Sequence, residues 1–349
     1  MSPKEAVVAL INGMSLTSAQ MESMVYEIMD GHATDAVIAA ILVLLRQKGE
    51  TIEEIYGAVN ALMNRVEKID LHPEAIDTCG TGGDASGTFN ISTVASIIAN
   101  AAGAKIAKHG NRSISSQSGS ADVLEGLGLN VNLSPEQTKA VFERTHYAFL
   151  YAPNYHKSMK AVSKARRELG IRTIFNMVGP LANPAGVHRQ LVGVYDKELT
   201  GMFAQVLRQR GAEHCLVVNG ITKEGFALDE PNICGATYVS ELKNASVTTY
   251  TIHPEDFGFK RRRLEELQGG SLQESVDIVW RIVENRAPEA MRDAAIYASG
   301  MAIYVGGKAN SMQEGFEKAK EVLETGKAKE ALERLIEAHR AVSATAVAS

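Results

Sequence analysis

Two loops in this sequence carry the side chains needed to hold an anion beside a sugar. The first, DTCGTGGDASGTFNIST at positions 77–93, sets four glycines and Asp84 among hydroxyl and amide side chains. It follows a β-prone run and opens a segment in which Val94, Ile97, Ile98, Ala101 and Ala102 form an apolar helical stripe. Strand, glycine turn and helix N-terminus, in that order, aim backbone N–H groups and the positive end of a helix dipole at phosphate. Glycine also admits φ > 0 and lets a ligand reach the backbone. No Gly-Lys-Ser/Thr follows, which excludes a Walker A loop. Gly80, Gly82 and Ala85 fit the loose G-x-G-x-x-A dinucleotide pattern, but positions 97–107 hold no acid for a ribose, which removes that reading. The second loop, KHGNRSISSQSGSADVLEGLG at 108–128, follows the next β-prone run. It supplies Lys108, Arg112, Asn111 and the hydroxyls of Ser113, Ser115, Ser116, Ser118 and Ser120. Open α/β sheets bind ligands beyond the carboxyl ends of their strands, so both loops belong at one edge.

Two further features could complete a site. Asp229 and Glu230, adjacent in ALDE, are hard oxygen donors of the kind magnesium takes one or two at a time; by local pattern alone they read as a solvated turn. On a helix over about 156–169, Met159, Val162, Arg166 and Leu169 share one face, and Lys160, Lys164 and Arg167 the other. Arg166 is thus the inward charge, which calls for an internal acid or a bound carboxylate. Cys79 has no histidine partner and reads as a packing residue. The histidines show no HxxxH or HExxH spacing, and KRRR at 260–263 reads as a solvated face.

The elements that must hold these residues follow from periodicity. To about residue 70 the pattern is helical, with capping-box signatures at Thr17 to Gln20 and Thr51 to Glu54. The apolar run AVIAAILVLL at 36–45 is too short to span a bilayer and reads as a buried helix. From about 74, the runs AIDTCG, AKIAKHG, YAFLYAP, QLVGVY and HCLVVNG alternate with helical stretches at 93–102, 135–144 and 198–210. That alternation predicts an α/β fold with a mostly parallel sheet. ATYVSEL and SVTTYTIHP follow without a helix between them, which makes part of the sheet antiparallel. After about 271 the chain is helical, with a tail, AVSATAVAS, that reads as frayed. The division is therefore a small all-helical domain over 1–72 and a larger α/β domain over 73–349. A net charge of -5 excludes a polyanion-coating protein, and three cysteines without a CxxC pair place the chain in a reducing compartment, the cytoplasm.

These motifs resemble the anthranilate phosphoribosyltransferases of tryptophan biosynthesis. The likeness runs through GTGGD (80–84), TFNIST (88–93), the whole second loop, RRELGIRTIFNMVGPLANPAG (166–186) and RQLVGVYD (189–196), and covers nearly the whole chain. It implies a nucleoside-phosphorylase-like fold in which a helical segment near 160–187 joins the small domain. The reaction it implies transfers the phosphoribosyl group of 5-phosphoribosyl 1-diphosphate to the amino group of anthranilate, with inversion at C1′ and release of diphosphate. Donor contacts carried over are Gly80, Gly83, Asp84, Thr88, Asn90, Ile91, Ser92 and Thr93, then Lys108, His109, Gly110, Asn111, Arg112, Ser113, Ile114, Ser115, Ser116 and Ser120. Gly80, Asn111 and Arg166 would contact anthranilate, with Gly179 and Pro180 at the mouth of its pocket. Ser92, Asp229 and Glu230 would hold magnesium, two ions with substrate bound. Lys108, Arg166, Asp229 and Glu230 would carry catalysis, Lys108 as a point charge on the diphosphate. The resemblance also implies a homodimer through the helical domain, with no nucleic-acid or membrane partner. One local departure is Pro231, directly after the acidic pair, with a longer spacing from the preceding strand. Pyrimidine nucleoside phosphorylases share the lobed fold and a glycine-rich phosphate loop, but KHGNRS and RTIFN look like the transferase. A non-catalytic paralogue that binds nucleic acid would need a basic surface and degraded loops.

Overall fold

The computed structural model describes residues 1–112 and 118–347, with side chains in the last helix to 344. Four helices open the chain: α1 (Pro3–Ile11), α2 (Ser18–Met29), α3 (Asp35–Lys48) and α4 (Ile52–Arg65). Each begins where a hydroxyl side chain, from Ser2, Thr17, Thr34 or Thr51, accepts an otherwise orphaned N–H three residues on. The boxes at Thr17/Gln20 and Thr51/Glu54 close reciprocally, as the sequence predicts. The buried Glu54 carboxylate also accepts Leu16 N–H and Lys48 Nζ, each at 2.9 Å, which ties the turn before α2 to α4. The apolar run in α3 is not buried all round. Ile38, Ile41, Leu42 and Leu45 face inward, whereas Val43 is exposed, because one stripe is all that α3 turns to its neighbours.

The α/β part follows in the order β1 (Ile76–Gly80), α5 (Ile91–Ala101), β2 (Ile106–Gly110), α6 (Ser120–Gly126), α7 (Pro135–Thr145), β3 (Tyr147–Tyr151), α8 (Ala152–Tyr155), α9 (Lys160–Leu169), α10 (Ile174–Val178), β4 (Arg189–Gly193), α11 (Glu198–Gln209), β5 (His214–Thr222), β6 (Ala227–Leu228), β7 (Gly235–Lys243) and β8 (Ser246–Ile252). Helices α12 (Leu272–Val283), α13 (Glu289–Val305), α14 (Met312–Glu324) and α15 (Lys327–Val347) complete it. The sheet order is β3-β2-β1-β4-β5-β7-β8, with β6 beside β5. The first five strands are parallel and the β5–β7 and β7–β8 pairs antiparallel, so the sheet is mixed but mostly parallel. From β1 the chain winds outward to β3, then returns to add β4 on the other side of β1. The point of reversal is a crevice beyond the carboxyl ends of β1 and β4, where open α/β sheets take their ligands.

Successive strand residues enter opposite cores. Leu191, Leu216 and Val218 join the cluster built with α5 and α13; Val192, Cys215 and Val217 join the one built with α4 and α11. Helix α9 packs on α2 and α3, and α10 on α3 and α4, so the segment that carries Arg166 lies against the N-terminal helices. The predicted frayed tail is instead helical to Val347, because Ala338 and Val342 are buried against the core beneath α15. Among the described residues no helix is long and apolar enough to cross a membrane.

Candidate active site

The strands at the crevice carry glycines at or near their carboxyl ends for a steric reason, β1 and β4 ending in Gly80 and Gly193 and β5 holding Gly220 two residues before its end. A Cβ on Gly80 would overlap the Asp229 carboxylate, one on Gly193 the Asp229 carbonyl, and one on Gly220 would sit 2.8 Å from the Glu230 carbonyl oxygen. Asp229 and Glu230 are thus seated on bare backbone, delivered there by β6, which turns back along β5 with Leu228 opposite Gly220. Asn219 fixes that return, its amide donating to Val194 O at 2.7 Å and Leu228 O at 3.2 Å. Nothing in the sequence marked Gly193 or Gly220, since a glycine at a strand end has many uses.

Asp229 Oδ2 accepts the Gly82 N–H at 2.5 Å, and the Asp229 N–H donates to Asp84 Oδ2 at 3.4 Å. Glu230 Oε1 accepts the Ser92 N–H, in the first turn of α5, at 3.2 Å. Ser92 Oγ accepts from Lys108 Nζ at 3.3 Å. Lys108 does not face the open loop: it is 1% exposed and reaches beneath β1 to the Thr78 carbonyl. Its ammonium therefore acts through Ser92 and Glu230. Burial, with Asp84 and Glu230 adding to it, holds Asp229 well above the ordinary carboxylate range. Burial pushes Glu230 up to about 7, against the opposing pull of Lys108 and the Ser92 N–H. Burial also lowers Lys108. Asp77 and Glu230 both draw on this one ammonium, Asp77 the more strongly, so among the described residues Asp229 and Asp84 are left without a cation of their own. Among the described residues no three His, Cys, Asp or Glu side chains converge into a complete metal cage. Two carboxylates and a hydroxyl fit magnesium nonetheless, since it completes its shell with phosphate oxygens and water.

The glycine loop supplies the phosphate side. Gly82 (φ +72°), Gly83 (+73°), Ala85 (+57°) and Gly87 (+67°) adopt left-handed backbone, and Ala85 pays steric strain to do so. Among the described residues the N–H groups of Gly83, Asp84 and Ala85 donate to nothing within the chain, which leaves three successive amides available to an anion. Asp84 shapes it from below, accepting from Ser86 N at 3.1 Å and Ser86 Oγ at 3.0 Å. Ser86 Oγ also lies 3.1 Å from Thr88 Oγ1. Asn90 ties the two loops together through Ser118 O at 3.1 Å. Ile91 and Thr93 turn their side chains into the core and spend their N–H groups on Phe89 O and Asn90 O, so they seat α5 rather than face the crevice.

In the second loop, Gly110 has no room for a Cβ beside Ser120 Oγ and Phe149, and Ser120 Oγ donates to Asn111 O at 3.3 Å. Exposed Asn111 receives the Arg112 N–H on Oδ1 at 2.8 Å. Arg112 is paired rather than free, with Asp122 at 2.6 Å and Glu125 at 2.9 Å; α6 supplies both acids one turn apart. Ser113, Ile114, Ser115 and Ser116 lie outside the described residues.

Across the crevice, the Arg166 guanidinium lies 5.9 Å from the centre of the Phe175 ring. Burial lowers its pKa with no acid beside it, so among the described residues an internal salt bridge does not explain it. The outer face of α9 behaves as its pattern predicts, with Lys164 paired to Asp35 at 2.6 Å. His109 packs 5.2 Å from His156, which no spacing in the sequence singled out. His156 Nε2 meets Ala182 O at 2.8 Å, and burial holds His109 to about 3, so that ring is neutral. His109 Nε2 and His156 Nδ1 have no partner among the described residues. Beneath both halves, buried Asp77 accepts the His109 N–H at 3.1 Å and the Asn183 amide at 2.9 Å. Gln190 Nε2, 3.4 Å from Asp77, donates to Pro180 O at 2.6 Å. One carboxylate thereby positions the second loop and the wall at Gly179 to Asn183 together. Desolvation, with Asp77 adding to it, raises the Cys79 thiol well above its usual range, and its Sγ accepts from Gln190 Nε2 at 3.3 Å, in keeping with a packing residue. In KRRR, Arg261 pairs with Glu255, Arg262 with Glu289 and Asp293, and Arg263 with Glu266, so its three arginines are each matched by a neighbouring acid.

Residues 72–329 match the a/b domain of a glycosyl transferase family, and residues 4–66 match its helical bundle domain. The anthranilate phosphoribosyltransferase of Chloroherpeton thalassium is 54% identical over 340 residues, 97% of this chain and 99% of that protein. The chain belongs to the anthranilate phosphoribosyltransferase family. Its fold agrees with the family's solved structures. The crystal structure of the Thermus thermophilus anthranilate phosphoribosyltransferase superposes with a TM-score of 0.89 at 36% identity, over 96% of this chain and 99% of that one. The Saccharomyces cerevisiae family member, in complex with PRPP and Mg, gives 0.86 at 26% identity, over 97% and 98%.

Proposed function

We propose that this chain transfers the phosphoribosyl group of 5-phosphoribosyl 1-diphosphate to the amine of anthranilate, with magnesium. The observation that carries this reading is the seating of Asp229 and Glu230 against the glycines of β1, β4 and β5, with Asp229 hydrogen-bonded to Gly82 of the glycine loop whose next three amides are free. Bound magnesium would neutralise charge on the departing diphosphate. Every other part of the work falls to the chain. The free amides of residues 83–85 take phosphate oxygens without reorganising, the form in which dipoles stabilise developing charge best. Glu230, Asp229 and Ser92 would hold the cation, two ions with substrate bound, and Lys108 keeps Ser92 in place from below. Arg166 takes the anthranilate carboxylate, and Asn111 and the wall at Gly179 and Pro180 orient the ring so that its weakly nucleophilic amine faces C1′ from the side opposite diphosphate. Orientation of this kind can supply several kcal/mol of the barrier, on the order of 7–11 in the best cases.

The two lobes, 1–72 with the segment near 160–187 and 73–349, would close over the substrates. On α1, Val8 (60% exposed), Ile11 (65%) and the following Met14 (54%) form an apolar face that supports a homodimer through the helical domain. Three free cysteines, two of them buried, support a reducing compartment, the cytoplasm. The test is product formation: purified protein with anthranilate, donor and magnesium should yield N-(5-phosphoribosyl)anthranilate by mass spectrometry. Phosphorolysis of a pyrimidine nucleoside in its place would overturn the reading.

A further inference from the structure

The connection between α9 and α10 contains a second arginine that reaches the glycine loop. Arg172 stacks its guanidinium 4.2 Å from the centre of the Tyr195 ring and donates through Nη2 to the Gly83 carbonyl. Tyr195 is itself fixed at both ends. Its N–H donates to Thr81 Oγ1 at 3.2 Å, and its hydroxyl accepts from Arg46 Nη1 of α3 at 3.4 Å. A continuous series, Arg46 to Tyr195 to Arg172 to Gly83, therefore runs from the N-terminal helices to the donor loop.

We propose that Arg172, braced by Tyr195, is a positioning residue that sets the polarity of the anion cradle. The peptide unit is planar, with C=O and N–H pointing in opposite directions. When Arg172 holds the Gly83 carbonyl, the N–H of the same peptide, that of Asp84, points away from the guanidinium. This N–H is the middle one of the three free amides. Gly83 is the residue at which this peptide could most easily turn over, since its φ of +73° has no Cβ to defend it. A reversed peptide would present a carbonyl oxygen to phosphate, replacing an attraction with a repulsion. The planar fork of arginine suits the task, because it can stack on a ring and donate in its own plane at once, which a lysine ammonium cannot.

The inference rests on the phosphoribosyltransferase reading, and its test separates the two. Donor binding with magnesium is measured by calorimetry, and KM for each substrate by turnover, in wild type, Arg172→Ala, Arg172→Lys and Tyr195→Leu. Arg172→Ala is expected to weaken donor binding about tenfold, the scale of one charge-assisted hydrogen bond, and to leave the anthranilate KM within about twofold. Arg172→Lys recovers little of the loss, and Tyr195→Leu shows the same selective donor defect at smaller size. Unchanged donor affinity in Arg172→Ala, or equal effects on both substrates, overturns the assignment. A donor defect in Arg172→Ala with none in Tyr195→Leu overturns it too, since the arginine would then act on the donor directly. Should Arg172→Ala fail to fold, the lysine and Tyr195 variants decide. Wild type that binds donor but consumes no anthranilate contradicts the transferase reading and leaves the affinity comparison standing.

Discussion

Replacing Gly193 by alanine should disable the site without altering the side chain of any residue that could bind substrate or cation. Gly193 lies outside the left-handed region, so alanine meets no backbone penalty there, and the whole effect comes from one methyl group. That methyl would overlap the Asp229 carbonyl and come 3.1 Å from the Glu230 N–H, where ordinary contact begins at 3.4 Å. To restore van der Waals separation the carbonyl must withdraw by on the order of 2 Å. Asp229 and Glu230 move with it, which breaks the 2.5 Å bond from Gly82 N–H and the 3.2 Å bond from Ser92 N–H. A misplacement of about 1 Å can cost about 100-fold in rate, so kcat should fall at least that far. The methyl meets backbone rather than the end of a flexible side chain, so the stability cost exceeds the about 1–3 kcal/mol of ordinary overpacking, and urea unfolding of the variant accompanies the assay. The assay is a magnesium titration of turnover at saturating substrates, in which the midpoint should move to higher magnesium. Gly201→Ala is the control, because its Cβ meets nothing within 4 Å. Wild-type kcat and an unmoved magnesium midpoint in Gly193→Ala would refute the seating of the acidic pair.

Three other perturbations probe separate parts of the molecule. Arg166→Ala should raise the anthranilate KM about 10- to 150-fold, the equivalent of a charge-assisted bond of roughly 1.5–3 kcal/mol, and leave the donor KM unchanged in steady-state kinetics. Burial holds His339 down to about 4, so on acidification the unfolded chain takes the proton first, at about 6.5. The stability this buried neutral ring contributes is complete above about pH 6.5 and lost as pH falls towards 4, by on the order of 3 kcal/mol. His339→Leu should flatten that part of the pH dependence of urea unfolding. Ile11→Asp, on the exposed face of α1, should convert a dimer to a monomer in light scattering; an unchanged mass would place any interface elsewhere.

The strands, the glycine loops and the inward Arg166 were legible because each is a local pattern: period-2 runs, turn residues between them, and one charge on an apolar helical face. Asp229 and Glu230 were legible by motif, but their location was not, because it depends on β6 reversing the chain over a strand whose glycine makes room. Lys108 shows the same limit. Its motif position placed it facing the donor, yet the four-carbon stem carries its ammonium under β1, a path set by the register of three strands. Arg112 reads as a free cation until α6 places Asp122 and Glu125 one turn apart beside it. Asp77 opens the first loop with no role visible in its local pattern, since its partners His109, Asn183 and Gln190 are brought to it only by the sheet. The helical tail failed for a related reason: small residues read as frayed until α15 gives Ala338 and Val342 a surface to pack on.

The central claim is magnesium-dependent phosphoribosyl transfer to anthranilate, and the most direct measurement follows anthranilate fluorescence in the purified protein while released diphosphate is counted. With donor and magnesium present, fluorescence should decay as diphosphate appears in equal amount, and chelation of magnesium should stop both. Diphosphate release without loss of anthranilate, or fluorescence decay that persists in chelator, would contradict it.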